Sequence, residues 1–333
     1  MDANPRVEPF FHPESNTWSY LVSAPGGGDC LVVDPVLDFD AKSGRTATHS
    51  AQAILDRIAQ QGLHLAWVLE THAHADHLSA GAWLRRQAPG ARIGIGEGIR
   101  EVQRTFKPIF NLSPDFALDG SQFDRLFADG ERLRVGALEV EVIATPGHTS
   151  DSVSYRIGDV VFVGDSLFMP DGGTARCDFP GGDAARLYRS IQRLYALPED
   201  TRVFVCHDYG PGGREVACET TVGAEVALGE GLQEPAFQAG RRRRRRQRER
   251  RVELLRAPGL ARHGGIQRVE QAVRLAQPQR GRHHQVGPAT RQHLGHRVFQ
   301  AREFGHALRT GPAAGSGSDG RRPRAAAGRR LGC

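Results

Sequence analysis

The sequence lacks several features that would place it in a familiar class of protein. Its five cysteines are scattered without the spacing of a disulfide framework, which favours a reduced, cytoplasmic setting. The first residues contain neither a basic start nor an apolar stretch, so they predict no secretory signal. No apolar run approaches the length of a membrane span, and we therefore expect no membrane partner. The 333 residues are nevertheless ample for a substantial core.

Charge divides the chain into two unlike parts. Residues 1–239 carry 20 basic and 33 acidic side chains, a net charge of −13. Residues 240–333 carry 24 arginines and 5 acidic side chains, a net charge of +19. We therefore predict an acidic globular domain over residues 1–239, followed by a separate Arg-rich, low-complexity tail over residues 240–333.

The tail opens with six consecutive arginines, Arg241 to Arg246, and has poor apolar periodicity. It is rich in Arg, Gly, Ala and Pro, whose codons are GC-rich. This composition favours a non-native segment translated in a shifted reading frame. A disordered segment is the second interpretation. A nucleic-acid-binding arm is the third, because only Phe299 and Phe304 could stack on bases.

Local patterns predict an alternation of strands and helices in the acidic part. A hairpin is expected over residues 18–34, a helix over 50–61, a buried strand over 65–69 and a helix starting near Trp83. Residues 97–130 are predicted to be irregular. Further strands are expected over 138–143, 152–157, 160–163 and 202–206, with a helix over 184–197.

Candidate metal ligands follow the predicted strands. Four of them lie within six residues, directly after the strand 65–69: His72, His74, Asp76 and His77. His148, Asp165 and His207 each follow another predicted strand. Because strand-end loops combine a rigid scaffold with access for substrate, we expect these side chains to meet at one sheet edge. Imidazole and carboxylate suit Zn, Fe or Mn, and a surface turn with chance histidines is disfavoured by the density of the cluster.

The order of the motifs points to a family. His-x-His-x-Asp-His is followed by Pro-Gly-His-Thr, then Gly-Asp-Ser, then Cys-His-Asp-Tyr. This order resembles the metallo-β-lactamase superfamily over about residues 10–222. The resemblance implies an α+β fold, an αββα sandwich with metals at the sheet edge, and makes residues 1–239 the catalytic domain. The superfamily alone does not fix the reaction.

A second block narrows the resemblance. The stretch from Asp165 to Phe179, with its Arg-x-Asp-Phe element, resembles the persulfide dioxygenases, which share ancestry with glyoxalase II. Residues 98–112 resemble the bacterial β-lactamase hydrolase-like branch of that group. The resemblance implies one Fe²⁺ per chain, held by His72, His148 and Asp165. The remaining candidates, His74, Asp76, His77 and His207, would then surround the iron or remain from a two-metal site.

Three residues are implied by the resemblance as catalytic or substrate-binding: Arg176, Asp178 and Tyr209. Arg176 would pair with a carboxylate of glutathione or, alternatively, form an ion pair with Asp178. Tyr209 would donate a hydrogen bond near the metal or, alternatively, lie in the core. Relatives carry a basic residue that helps to bind glutathione where this chain has Val226.

The resemblance implies an enzyme of sulfur metabolism, a persulfide dioxygenase. Its substrates would be glutathione persulfide and dioxygen, its products sulfite and glutathione, and its assembly a homodimer. The alternative is a hydrolase of the glyoxalase II type with two Zn²⁺, acting on a glutathione thioester or related ester across a bridging Asp165. A non-catalytic nucleic-acid binder that uses the tail is a third hypothesis, and nucleic acid is disfavoured as a partner. A damaged relative of an active enzyme is the fourth.

Overall fold

The computed structural model describes residues 4–229, so the predicted boundary at residue 239 and the tail 240–333 lie outside the described residues. The first part of the chain forms β1 (Arg6–His12), β2 (Thr17–Ser23), β3 (Asp29–Val33), β4 (Val36–Leu37), β5 (Phe39–Asp40), β6 (Arg45–Thr46), α1 (His49–Gln60), β7 (His64–Leu69), β8 (Leu78–Ser79), α2 (Gly81–Gln87), β9 (Arg92–Gly96), α3 (Ile99–Ile109) and β10 (Arg125–Phe127). The second part forms β11 (Arg132–Val135), β12 (Leu138–Ala144), β13 (Val153–Ile157), β14 (Val160–Phe162), α4 (Ala184–Tyr195), β15 (Arg202–Phe204), β16 (Glu219–Thr221) and α5 (Val222–Gly229).

Two six-stranded sheets lie at the centre. The first has the order β1-β2-β3-β7-β9-β10, in which β3, β7, β9 and β10 are parallel. The second has the order β11-β12-β13-β14-β15-β16, in which only β14 and β15 are parallel neighbours. Two short pairs, β4 with β8 and β5 with β6, form beside the first sheet's loops. Each sheet thus comes from one half of the described chain.

Side-chain alternation along the strands separates two faces of the first sheet. On β3, Leu31 and Val33 join the apolar core between the two sheets. Cys30 and Val32 point the other way, toward Ile54 of α1. A run of consecutive apolar residues therefore serves a strand that is covered on both faces.

The second sheet is layered in the same manner. Phe162 of β14 faces the core between the sheets, whereas Val161 of β14 and Val203 of β15 pack against Leu187 of α4. Helices therefore cover both outer faces, and the predicted αββα sandwich is confirmed. No helix within residues 4–229 has the length and apolar character needed to cross a membrane.

One prediction is wrong: residues 97–130 are not irregular. They contain the helix α3, which buries Ile99 and Val102 and packs Phe106 against the same cluster. These positions have helical spacing, but Pro108 and the phenylalanines beyond it obscure the pattern. Pro108 lies in the last turn, where it has no backbone N–H to donate to the carbonyl of Arg104, and α3 ends one residue later.

Strand direction brings the predicted ligand loops to one edge. The strand β7 leads into the loop 71–77. In the second sheet, β12, β14 and β15 all run in one direction, because β13 is antiparallel to β12 and β14. Their carboxyl ends therefore open at a common edge, as in α/β proteins that bind ligands beyond their strand ends.

Hydrogen bonds join the two sheets at this edge. The backbone N–H of Val153 donates to the carbonyl of Thr71 at 2.9 Å, and the hydroxyl of Tyr155 donates to the carbonyl of Glu70 at 2.8 Å. On the other side, the N–H of Trp18 donates to the carbonyl of Cys206 at 2.8 Å. The start of the loop 71–77 is therefore fixed against both sheets.

Candidate metal centre

The predicted ligands lie together at the joined strand ends. His72, His74 and His148 are almost fully buried, and His207 is completely so. Asp165 lies in a short 3₁₀ turn after β14 and is 8% exposed. The site is thus a buried cluster of imidazoles around a carboxylate.

Local sequence explains the placement of His148. Gly147 precedes it, and a Cβ atom at Gly147 would lie 2.3 Å from the backbone of Leu187 on α4. Only glycine therefore lets this loop approach the helix so closely. The Pro-Gly-His-Thr motif is required here by packing as much as by chemistry.

One group consists of His72, His148 and Asp165. Their ligand atoms all lie within 4.8 Å of one another. Nε2 of His148 is 3.5 Å from Oδ2 of Asp165, and Nε2 of His72 is 3.9 Å from the same oxygen. Two imidazoles and one carboxylate facing a common point match the donor set that binds a single divalent iron.

A second group lies on the other side of Asp165. Nδ1 of His207 is 2.7 Å from Oδ1 of Asp165, and its Nε2 is 2.6 Å from Oδ2 of Asp76. Asp76 also lies 3.4 Å from Nδ1 of His77. Asp165 therefore contacts both groups, as a bridging carboxylate would.

Unpartnered nitrogens test whether a cation fits. Nε2 of His72, Nδ1 of His74 and Nε2 of His77 are buried and have no hydrogen-bond partner among the described residues. Leaving a buried polar atom unpaired costs about 1–3 kcal/mol. Three such nitrogens beside carboxylates fit a cation-binding site, with His72 in the group of His148 and Asp165 and with His74 and His77 beside Asp76.

Neighbouring acceptors set the tautomer of each histidine. The hydroxyl of Thr71 donates to Asp34 at 2.8 Å and can accept from Nδ1 of His72 at 3.0 Å, which leaves the His72 Nε2 lone pair for a metal. Nδ1 of His148 donates to the carbonyl of Arg176 at 2.6 Å. Its Nε2 is therefore also available, and such orienting contacts are the usual companions of metal-binding histidines.

Two buried carboxylates fix the loop 71–77 by accepting hydrogen bonds from its backbone. Asp34 accepts the backbone N–H of Thr71 at 2.7 Å and faces Nε2 of His74 at 3.1 Å. Asp151 accepts the backbone N–H of Ala73 at 2.8 Å. Sequence reasoning missed both residues, although Asp34 also follows an apolar strand, and that shared position could have signalled it.

Burial and charge act differently on the histidines: burial opposes the protonation of His74 and His207, but neighbouring carboxylates outweigh it and raise the pKa of both well above its usual value. Burial lowers the pKa of His72 well below its usual value, and burial lowers the pKa of His77 to about 4. Burial opposes the ionisation of Asp165, but the charge of His207 and its hydrogen bond outweigh burial and lower the carboxyl pKa. Neutral imidazole and ionised carboxylate are the forms that ligate metals.

A cavity of about 1150 Å³ opens beside the histidines. His72 and His77 line one part of it, and the β5–β6 hairpin lines another. Tyr209 also lines the cavity, is 60% exposed, and stacks almost parallel to His207 at a ring-centroid distance of 6.2 Å. It is therefore not a core tyrosine, and its hydroxyl is available to a molecule in the cavity.

Arg176 and Asp178 form an ion pair with each other. Nε and a terminal nitrogen of Arg176 donate to the two carboxylate oxygens at 2.6 and 2.9 Å. The guanidinium also lies over the ring of Phe179 at 4.7 Å, and that ring contacts His148 at a centroid distance of 5.4 Å. The pair thus supports the wall beside His148, and a direct role for either residue toward substrate stays a prediction.

Comparison with known proteins agrees with the fold and the motif order. A family model described as the metallo-beta-lactamase superfamily matches residues 12–207. A probable metallo-hydrolase of Burkholderia pseudomallei is 48% identical over 71% of this chain and 84% of that protein. A glyoxylase B2 of Dictyostelium discoideum is 47% identical over 67% of this chain and 76% of that protein. Human mitochondrial persulfide dioxygenase ETHE1 is 32% identical over 60% of this chain and 66% of that protein.

Coverage differs among the relatives. A beta-lactamase hydrolase-like protein of Agrobacterium fabrum is 50% identical over 67% of this chain, and the chain spans 52% of that relative's length. Among solved structures, ETHE1 from Myxococcus xanthus superposes with a TM-score of 0.51 and 30% identity, covering 69% of this chain and 92% of that one. The family model, the layered fold and the strand-end ligands agree: the chain belongs to the metallo-beta-lactamase superfamily.

Proposed function

We propose that the chain is an iron-dependent persulfide dioxygenase that converts glutathione persulfide, dioxygen and water into glutathione, sulfite and two protons. The observation that carries this proposal is the group formed by His72, His148 and Asp165. Two imidazoles and a single carboxylate are the donor set with which proteins hold iron for reactions with dioxygen. The similarity to the ETHE1 structure and to human persulfide dioxygenase supports the same chemistry.

In this proposal the protein positions the reactants, and iron supplies the activation of dioxygen. Asp165 and the two histidines, all of them buried, would hold the ion beside the cavity. Tyr209, at the cavity wall, donates a hydrogen bond that orients the persulfide. Phe179 and the Arg176–Asp178 pair keep His148 in position.

A two-zinc hydrolase acting on a glutathione thioester is the second candidate. Asp76, His77 and His207 lie on the far side of Asp165 and could complete a second metal position. The glyoxylase B2 relative supports this candidate. In that case Asp165 would bridge two ions, and water would be the nucleophile.

Metal content and oxygen uptake on the same anaerobically purified sample decide between the two. We expect about one iron per chain, with oxygen consumption and sulfite release when glutathione persulfide is added. Two zinc ions per chain, hydrolysis of S-lactoylglutathione and no oxygen uptake would reject the dioxygenase. An Asp165→Asn variant controls for metal bound elsewhere, because it removes the carboxylate that both candidates need.

A further inference from the structure

The cavity beside the metal centre has a second end that the proposed chemistry does not use. One end is lined by His72 and His77, whose Nε2 atoms are buried and have no hydrogen-bond partner within residues 4–229. The other end is lined by the β5–β6 hairpin, including Lys42 and Arg45. At about 1150 Å³ the cavity exceeds what a persulfide group alone would fill and suits a ligand of tripeptide size.

The acidic groups that line the hairpin end already have partners. Asp38 accepts the backbone N–H of Ser50 at 3.1 Å and its hydroxyl at 2.6 Å. Asp40 accepts the backbone N–H of Lys42 at 2.9 Å. Their negative charge is thus partly satisfied within the loop.

The basic side chains that line the cavity differ in whether they form a salt bridge. Arg85, which also lines the cavity, pairs with Asp124 at 3.0 Å. Lys42 and Arg45 are exposed at the hairpin, and no salt bridge joins either of them to another residue in the range 4–229, although the charge of Lys42 contributes to lowering the pKa of Asp40. These two cations therefore remain available to an anion that enters the cavity.

Two positions that could have supplied a cation for an anionic ligand in the cavity do not do so. Arg176 is held by Asp178 and is not among the residues that line the cavity. Val226 of α5 packs against the apolar cluster under α4 and carries no charge. Among the lysines and arginines of residues 4–229 that line the cavity, Lys42 and Arg45 are therefore the two without a salt bridge.

We propose that the β5–β6 hairpin is the anion subsite of this enzyme, in which Lys42 and Arg45 bind the carboxylates of a peptide-like thiol. The thiol sulfur then points toward His72 at the other end of the cavity. The identity of the substrate class rests on the proposed function, but the subsite serves a persulfide and a thioester equally. Charge-assisted hydrogen bonds from both cations would select a dianionic carrier over an esterified one.

Calorimetric binding of two non-reacting probes to the full metal-loaded chain tests the subsite. The probes are S-methylglutathione, with free carboxylates, and its diethyl ester. We expect the wild-type protein to bind the free acid about tenfold more tightly than the ester. The double variant Lys42→Gln, Arg45→Gln should lose this preference and bind both probes with equal affinity.

Two controls make the result interpretable. The double variant Lys42→Arg, Arg45→Lys keeps both charges on the hairpin and should keep the preference. Arg134→Gln removes an exposed charge on β11, outside the cavity, and should also keep it. A wild-type protein without preference, or a neutral double variant that retains it, would overturn the subsite. The binding measurement does not depend on catalysis, because the probes do not react. A lack of oxygen uptake would therefore reject the dioxygenase without deciding whether the subsite exists.

Discussion

The carboxylate of Asp34 accepts two hydrogen bonds from Thr71, at 2.7 Å from the backbone N–H and at 2.8 Å from the hydroxyl. The same carboxylate faces Nε2 of His74 at 3.1 Å. One buried group thereby fixes the backbone of the ligand loop and the orientation of one imidazole. It also polarises the Thr71 hydroxyl that faces His72.

Replacing this carboxylate should weaken metal binding without removing a ligand. Asp34→Asn removes the charge that anchors Thr71, whose hydroxyl contacts Nδ1 of the ligand His72, so we expect about 10–100-fold lower metal affinity. The measurement is competition with a chromogenic chelator. Asp29→Asn, which changes an exposed partner of His64 at the start of β3, is the matched control and should bind metal as the wild type does. Equal affinity of both variants would contradict a positioning role for Asp34.

Ligand variants on the two sides of Asp165 should separate one-metal from two-metal chemistry. His72→Ala removes a ligand of the proposed iron group, so metal and oxygen uptake should both be lost. Asp76→Asn changes only the other group, so about one iron per chain and most of the oxygen uptake should remain. If Asp76→Asn instead lost activity together with half of the bound metal, the dinuclear hydrolase would be favoured.

Arg214 should couple stability to substrate binding. It donates to both oxygens of Asp171 at 2.7 and 2.6 Å and also to Asp208 at 2.8 Å, so it ties the loop after β14 to the loop after β15. We expect Arg214→Gln to lower the unfolding midpoint by about 2–4 °C and to raise KM more than it lowers kcat. Arg202→Gln breaks a surface pair with Glu219 on the sheet and should leave KM unchanged. Identical KM values for the two variants would show that the loop clamp has no effect on the cavity.

Glu225 should make stability fall as pH rises. Burial raises its pKa to about 8 from an ordinary value of 4.5, and its Oε1 has no hydrogen-bond partner among the described residues. Between these pKa values the unfolded chain has released the proton that the folded chain still holds, so rising pH favours unfolding. Glu225→Gln cannot ionise, and its unfolding midpoint should therefore exceed that of the wild type by a margin that grows toward pH 8.

Thermal unfolding followed by circular dichroism across this pH range measures the effect of Glu225. Glu215→Gln, which alters an exposed carboxyl, is the control. A margin that stays constant from pH 4.5 to pH 8 would contradict the assigned titration.

Local periodicity explains which parts of the fold could be predicted. Apolar runs or apolar–polar alternation predict strands such as β7 and β12, and the sequence also shows that a candidate ligand follows each of these strands. The helix α3 was hidden because Pro108 and nearby phenylalanines interrupt its spacing. The ion pair between Arg176 and Asp178 could be anticipated as one interpretation of Arg176, because the two residues are only two positions apart in the sequence. The Arg214–Asp171 pair spans 43 residues and required the folded structure.

The joined sheets have a consequence for assembly of the fold. His72 and Asp76 come from the half of the chain that forms the first sheet, whereas His148, Asp165 and His207 come from the other half. The proposed iron group takes His72 from one half and His148 and Asp165 from the other, so an ion bound there would act as a non-covalent cross-link across the sandwich. Its binding free energy is then available only to the docked state and adds to folding stability by mass action. A chelator would accordingly loosen the contact between the two halves before it disturbed either sheet.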